Sequence, residues 1–255
     1  MALRPAQSLF LPFDDVAAGT SVSLTATVQQ ACLLNDLVIS CALTGLVTAI
    51  AVAGQSLLCS DLGVDLGLFG YDCAVEGHRG SGIALAQQQQ VTITVAPASS
   101  AVVRASIGID PVDPSAAINV NDLGDGLNYV FGLGSSGSVA VSSSTTVTAN
   151  SRRDGVLGPL VGTYLAAASH IIQDATITSF KVNNLELMNG VAGSDVPFQS
   201  ILRDATDLDG RTLAYPIETN DAVAITYRND DADAGDVFTA RAGIFMMPAA
   251  AAIAA

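Results

Sequence analysis

Four short segments of this chain occur twice, in the same order. Leu33-Leu34-Asn35-Asp36-Leu37-Val38-Ile39-Ser40 is matched by Ile171-Ile172-Gln173-Asp174-Ala175-Thr176-Ile177-Thr178, and Val52-Ala53-Gly54 by Val191-Ala192-Gly193. Downstream, Val91-Thr92-Ile93-Thr94-Val95 is matched by Val223-Ala224-Ile225-Thr226-Tyr227. Arg104-Ala105-Ser106-Ile107 with Pro111 is matched by Arg241-Ala242-Gly243-Ile244 with Pro248. The separations all lie between 132 and 139 residues. A unit of about 90–110 residues is too long for a solenoid repeat and long enough to hold its own core. The pattern predicts a tandem duplication of one domain.

The domain it predicts is built from strands. Val/Ile/Thr-rich runs with two-residue alternation fall near residues 22–28, 37–43, 46–52, 82–86, 91–95 and 102–109. A second set falls near 160–166, 175–182, 185–189, 213–216, 223–227 and 237–245. Alternation as in residues 91–95 presents one apolar and one hydroxyl face, as a half-buried strand requires. No segment sustains a 3.6-residue period over three turns; a short helix is expected at most near residues 198–204. About eight short strands per unit predict an all-β fold of two tandem antiparallel β-sandwiches of jelly-roll type. The expected boundaries are 1–111 for the first, 155–255 for the second, and a Gly/Ser/Asp-rich connection over 112–154 with strand character near 139–148. Pro111 and Pro248 are expected to close the last strand of each unit, with Arg104 and Arg241 near its end, because proline cannot donate to a ladder.

Composition narrows the functions. Acidic residues outnumber basic ones 24 to 10, a formal charge of −14. Such a field repels phosphate backbones, and no basic cluster longer than Arg152-Arg153 offsets it, so direct nucleic-acid binding is not expected. Aromatic residues are 5% of the chain and Trp is absent, which counts against stacking platforms for sugars. Residues 37–60 carry no charge, enough by length to span a bilayer, but the matching stretch holds Lys181 and Glu186, so paired strands are expected instead. The first residues lack the long apolar core of a secretory signal, which predicts no export by the general route. Cys32, Cys41, Cys59 and Cys73 lie in the first unit only, without zinc-ligand spacing; reduced, dispensable thiols are expected.

Candidate chemistry is confined to loops. His78 and His170 are the only histidines and are not repeat equivalents, and no nucleophile elbow, phosphate loop or metalloprotease motif is present, so no enzyme is expected. Asp207 and Asp209, and Asp230, Asp231, Asp233 and Asp236, form dense oxygen-donor runs of the kind hard cations prefer, which makes them candidate Ca2+ ligands. Turn chemistry alone also accounts for Asp, Asn and Gly in such loops. No cofactor is required.

In layout and size, with its opening Ser8-Leu9-Phe10-Leu11 and Val16-Ala17-Ala18-Gly19-Thr20-Ser21-Val22-Ser23-Leu24, the chain resembles the double jelly-roll major capsid proteins of tailless, membrane-containing icosahedral viruses, the corticovirus-like ones in particular. The resemblance implies a structural protein of the virion, assembled in the host cytoplasm. Its partners would be itself, as homotrimeric pseudo-hexagonal capsomers, and other virion proteins, with a membrane beneath the shell and no direct contact with nucleic acid. The alternative class is a binding module, such as a virion decoration or fibre protein or a β-sandwich adhesin. A cupin-like enzyme ranks third, because two non-equivalent histidines cannot supply its metal cluster.

Overall fold

The computed structural model describes residues 10–13, 17–29, 31–52, 54–69, 83–111, 129–166, 172–188, 195–201, 212–232 and 235–248. These form antiparallel sheets with only short 3-10 turns between them. The chain divides into two compact units. The first takes residues 1–43, 49–57 and 69–128; the second takes 44–48, 58–68 and 129–255.

In the first unit, one sheet is formed by β1 (Phe10–Pro12), β2 (Ala17–Gly19), β4 (Cys32–Cys41), β8 (Ile83–Leu85) and β10 (Ala101–Pro111). Its order is β1-β10-β4-β8, with β2 also on β10. The other sheet contains β3 (Val22–Thr27), β5 (Gly45–Val52, of which residues 49–52 belong to this unit), β6 (Gln55–Ser56) and β9 (Gln90–Pro97) in the order β3-β9-β5-β6. Strands β3 and β9 alternate strictly, burying Val22, Leu24, Ala26, Val91, Ile93 and Val95. Ser23 and Thr25 on the other face bond Thr94 and Thr92 across the pair.

The second unit repeats this order. One sheet runs β11 (Tyr129–Ser135), β19 (Phe238–Pro248), β13 (Gly155–Ala166), β17 (Thr212–Ile217). The other runs β12 (Ser144–Asn150), β18 (Ala222–Asn229), β14 (Ala175–Val182), β15 (Leu185–Glu186), with β16 (Val196–Pro197) also on β14. Pro159 falls where β13 shifts register against both its neighbours, a bulge that tolerates a missing donor. Between the sheets, Tyr164, Phe198, Tyr227 and Phe238 pack ring to ring at 5.5–6.5 Å. Phe198 enters from a 3-10 turn over Phe198–Ile201, where a short helix is predicted.

Residues 58–68 lie across the first of these sheets. Cys59 N–H donates to Val130 O at 2.8 Å, Gly134 N–H to Gly63 O at 2.9 Å, and Gly132 N–H to Ser60 Oγ at 2.7 Å. The short strand β7 (Val64–Asp65) pairs with Leu46 and Val47 of β5. With both faces covered, consecutive residues Ala240, Arg241, Ala242, Gly243 and Ile244 are all buried, as are Val130, Phe131 and Leu133.

Each predicted strand overlaps one in the structure, and β7 falls within residues 57–71, where short strands are also expected; β1, β2, β6, β11 and β16 are additional. Two of the four sequence matches fall on strands with the same place in sheet order: residues 91–95 and 223–227 in β9 and β18, and Arg104 and Arg241 in β10 and β19. The longest match does not. Residues 33–40 lie in β4, which pairs with β10, whereas residues 175–178 lie in β14, which pairs with β18. By place in the sheets, β14 corresponds to β5 and β4 to β13, so that likeness is one of strand composition. Residues 191–193 lie outside the described residues. By place in the hairpins, Gly54 (φ 80°), second of the two residues between the paired Val52 and Gln55, corresponds instead to Asn184, second of the two between the paired Val182 and Leu185. Pro111 and Pro248 are the last residues of β10 and β19, as expected. Arg104 and Arg241 are each fourth of eleven residues, near the start of the strand rather than its end. Among the described residues no disulfide forms: Cys32 and Cys59 are buried, Cys41 is half-buried, and burial pushes the Cys59 thiol up to about 12. Cys73 lies outside the described residues.

Candidate functional site

The acidic segment after β18 is held by one buried amide. Asn229 is fully buried. Its Nδ2 donates to Val139 O at 3.2 Å and Asp236 O at 2.8 Å, and its Oδ1 accepts Asp231 N–H at 3.0 Å. Asp231 and Asp236 are both buried and flank this clamp. Asp230 points the other way, to the surface, where it accepts from Arg228 and from Thr176 Oγ1 at 3.0 Å. Arg228 also bonds Asp195. The Arg228 hydrogen bond holds the Asp230 carboxyl below its usual range, against the opposing effect of its slight burial.

The candidate cation ligands therefore divide. Asp230 is engaged by a guanidinium, and Asp231 and Asp236 sit at the Asn229 clamp. Asp207, Asp209 and Asp233, like His78 and His170, lie outside the described residues. Among the described residues, no group of three or more His, Cys, Asp or Glu is placed to hold a metal ion. Asn229→Ala removes three buried hydrogen bonds at once, at about 1 kcal/mol each. The expected result is a loss of about 3 kcal/mol in urea unfolding, with fast amide exchange at Asp231.

A second polar cluster, in the same unit, has no signal in the sequence. Asp65 is fully buried, and its Oδ1 accepts Gly67 N–H at 3.0 Å and Thr163 Oγ1 at 2.9 Å. Arg241 is buried too, donating from Nη1 to Thr44 Oγ1 at 2.9 Å. Burial lowers the Arg241 pKa, and the Asp65 charge opposes that shift. Burial raises the pKa of the Tyr227 phenol, and the Asp65 charge raises it further. Asp65, Arg241 and Tyr227 thus share one buried electrostatic environment. The arrangement fastens residues 44 and 65–67 to β13 and β19.

Exposed carboxylates fasten the rim of the same unit. Thr219 bonds hold the Asp154 carboxyl low. At Asp61 slight burial raises the pKa, but Asn150 hydrogen bonds outweigh it; at Glu186 the bonds from Ser179, Phe180 and Met188 do the same. A carboxylate whose folded pKa is depressed contributes stability above its unfolded pKa, near 4, and loses it as pH falls. These groups therefore predict a flat stability between about pH 5 and 8 and a decline below about pH 4. Urea midpoints measured across that range check it; a decline beginning near pH 6 would point to other groups.

The chain matches no protein-family model, no curated protein and no solved structure.

Proposed function

We propose that the chain is a self-assembling structural protein of a virion, the major capsid protein of an icosahedral shell built from trimeric, pseudo-hexagonal capsomers. The strand order carries this reading. With the off-path strands β2, β7 and β16 set aside and the eight remaining in each unit lettered B to I along the chain, the first unit orders them B-I-D-G and C-H-E-F, and the second unit does the same. That order is the one expected of a jelly roll, and it supports reading the chain as two in tandem, the double jelly roll to which the layout and opening residues point. The field of −14 charges suits a shell wall that does not touch its genome.

The test is the mass and form of the purified protein, by light scattering and negative-stain imaging. Trimers or closed shells support the proposal. A chain that remains monomeric at high concentration overturns it and favours a decoration or adhesin module. Because assembly brings carboxylates together, cohesion should rise with ionic strength or added Ca2+. Dilution into low salt with a chelator is expected to slow sedimentation; unchanged particles would mean that apolar contact alone holds them.

A further inference from the structure

The edge of a sheet carries backbone groups without partners, and natural folds blunt it with short strands, proline, charge or a covering segment. Most edges here are blunted in this way. β1, β2 and β8 have three residues, and β6, β15 and β16 have two. β17 carries Pro216, and β11 lies beneath residues 58–63. Strands β3 and β12 are treated differently. They run six and seven residues without proline, charge or bulge, and among the described residues each pairs with a single strand, β9 and β18. Both hold the C position of their unit.

Their outward groups can be assigned. Val28 exchanges backbone hydrogen bonds with Gln88 and Gln89, so by alternation Leu24 and Ala26 face β9, while Ser23, Thr25 and Thr27 turn their N–H and C=O away. Ser143 O accepts from Asn229 N–H, so Ser144, Thr146 and Thr148 turn outward from β12. The end of that edge is already occupied: Asp61 donates its backbone N–H to Asn150 O at 3.1 Å, and its carboxylate Oδ1 accepts Asn150 N–H at 2.7 Å.

We propose that β3 and β12 are docking edges at which a second copy of this chain adds a strand. A second copy brings the same −14 charge, so close approach is favourable only along a strip that carries none. β3, β9 and β12 are such strips. Two edges per chain let each copy engage two neighbours, as a closed ring requires. This rests on the shell reading and names its contact.

Thr25→Pro and Thr146→Pro test it. Both N–H groups point away from the paired strand, so proline leaves the β3–β9 and β12–β18 ladders intact. The double variant is expected to sediment as a single 25.9 kDa chain with an unchanged far-ultraviolet spectrum. Thr25→Lys with Thr146→Lys, which keeps both N–H groups, should act likewise. In the wild-type assembly, the amides of residues 23, 25, 27, 144, 146 and 148 should exchange slowly, and in the dissociated chain fast; this holds the proposal open to test even if the variants misfold. Amides already protected in the monomer would mean that another segment of the same chain covers the edges, and would overturn the proposal. So would unchanged exchange on assembly. Trimers or shells from the double proline variant would sink the edges and leave the shell reading standing, whereas a wild type that is monomeric at every concentration sinks both.

Discussion

Gly132→Ala is expected to unfold the second unit under conditions where the wild type is stable. A Cβ at this position would lie 2.1 Å from Gly63 O, 2.3 Å from Gly63 C and 2.6 Å from Val64 N. All three are backbone atoms, so no rotamer change relieves the overlap. Gly132 also donates to Ser60 Oγ at 2.7 Å and pairs with Gly243, where a Cβ would meet Leu68 and Val64 side chains at 2.4 Å. Overpacking costs about 1–3 kcal/mol where side chains can yield, and more where they cannot. A loss above about 3 kcal/mol in the urea transition is the expected outcome for Gly132→Ala. Gly137→Ala serves as the control: it has open space and φ 65°, so it should lose only the left-handed penalty of about 1–2 kcal/mol. Equal losses for the two would mean that residues 58–68 do not lie on β11.

Asp65→Ala is expected to destabilise the same unit by about 3–5 kcal/mol, because it leaves the Arg241 guanidinium buried without its neighbouring charge and removes the carboxylate that accepts from Gly67 N–H and Thr163 Oγ1. Asp65→Asn keeps an oxygen for both donors and should cost less, isolating the charge. Adding Arg241→Met to Asp65→Ala should recover part of the loss, since two charges removed together leave no uncompensated ion. Strictly additive losses in this cycle, measured by urea unfolding at constant m, would show that Asp65 and Arg241 are not coupled.

Strand content was legible because it depends on a local signal. Residues 91–95 and 223–227 alternate at period two, and the cores they bury, Val91, Ile93 and Val95, and Val223, Ile225 and Tyr227, follow directly from that alternation. The proline stops at 111 and 248 were legible for the same reason: a missing N–H is a property of the residue itself. β11 escaped notice because Gly132 and Gly134 interrupt its pattern, and its continuous burial comes from a segment some seventy residues away. The match of residues 33–40 with 171–178 misled because apolar strands of similar composition resemble one another wherever they sit in a sheet.

The candidate ligands show the same limit. Asp and Asn in the 229–236 run announce a polar loop, but nothing local says that Asn229 is buried as its clamp or that Arg228 engages Asp230. The paired arginines are plainer still. Arg104 and Arg241 occupy the same position in corresponding strands, yet Arg104 is exposed and Arg241 is buried beside Asp65. The sequence by itself determined an acidic, all-β chain, because charge, alternation and proline act over a few residues. Tertiary structure alone decided which strands correspond, where residues 58–68 lie and which charges are buried, because those depend on partners far apart in the chain.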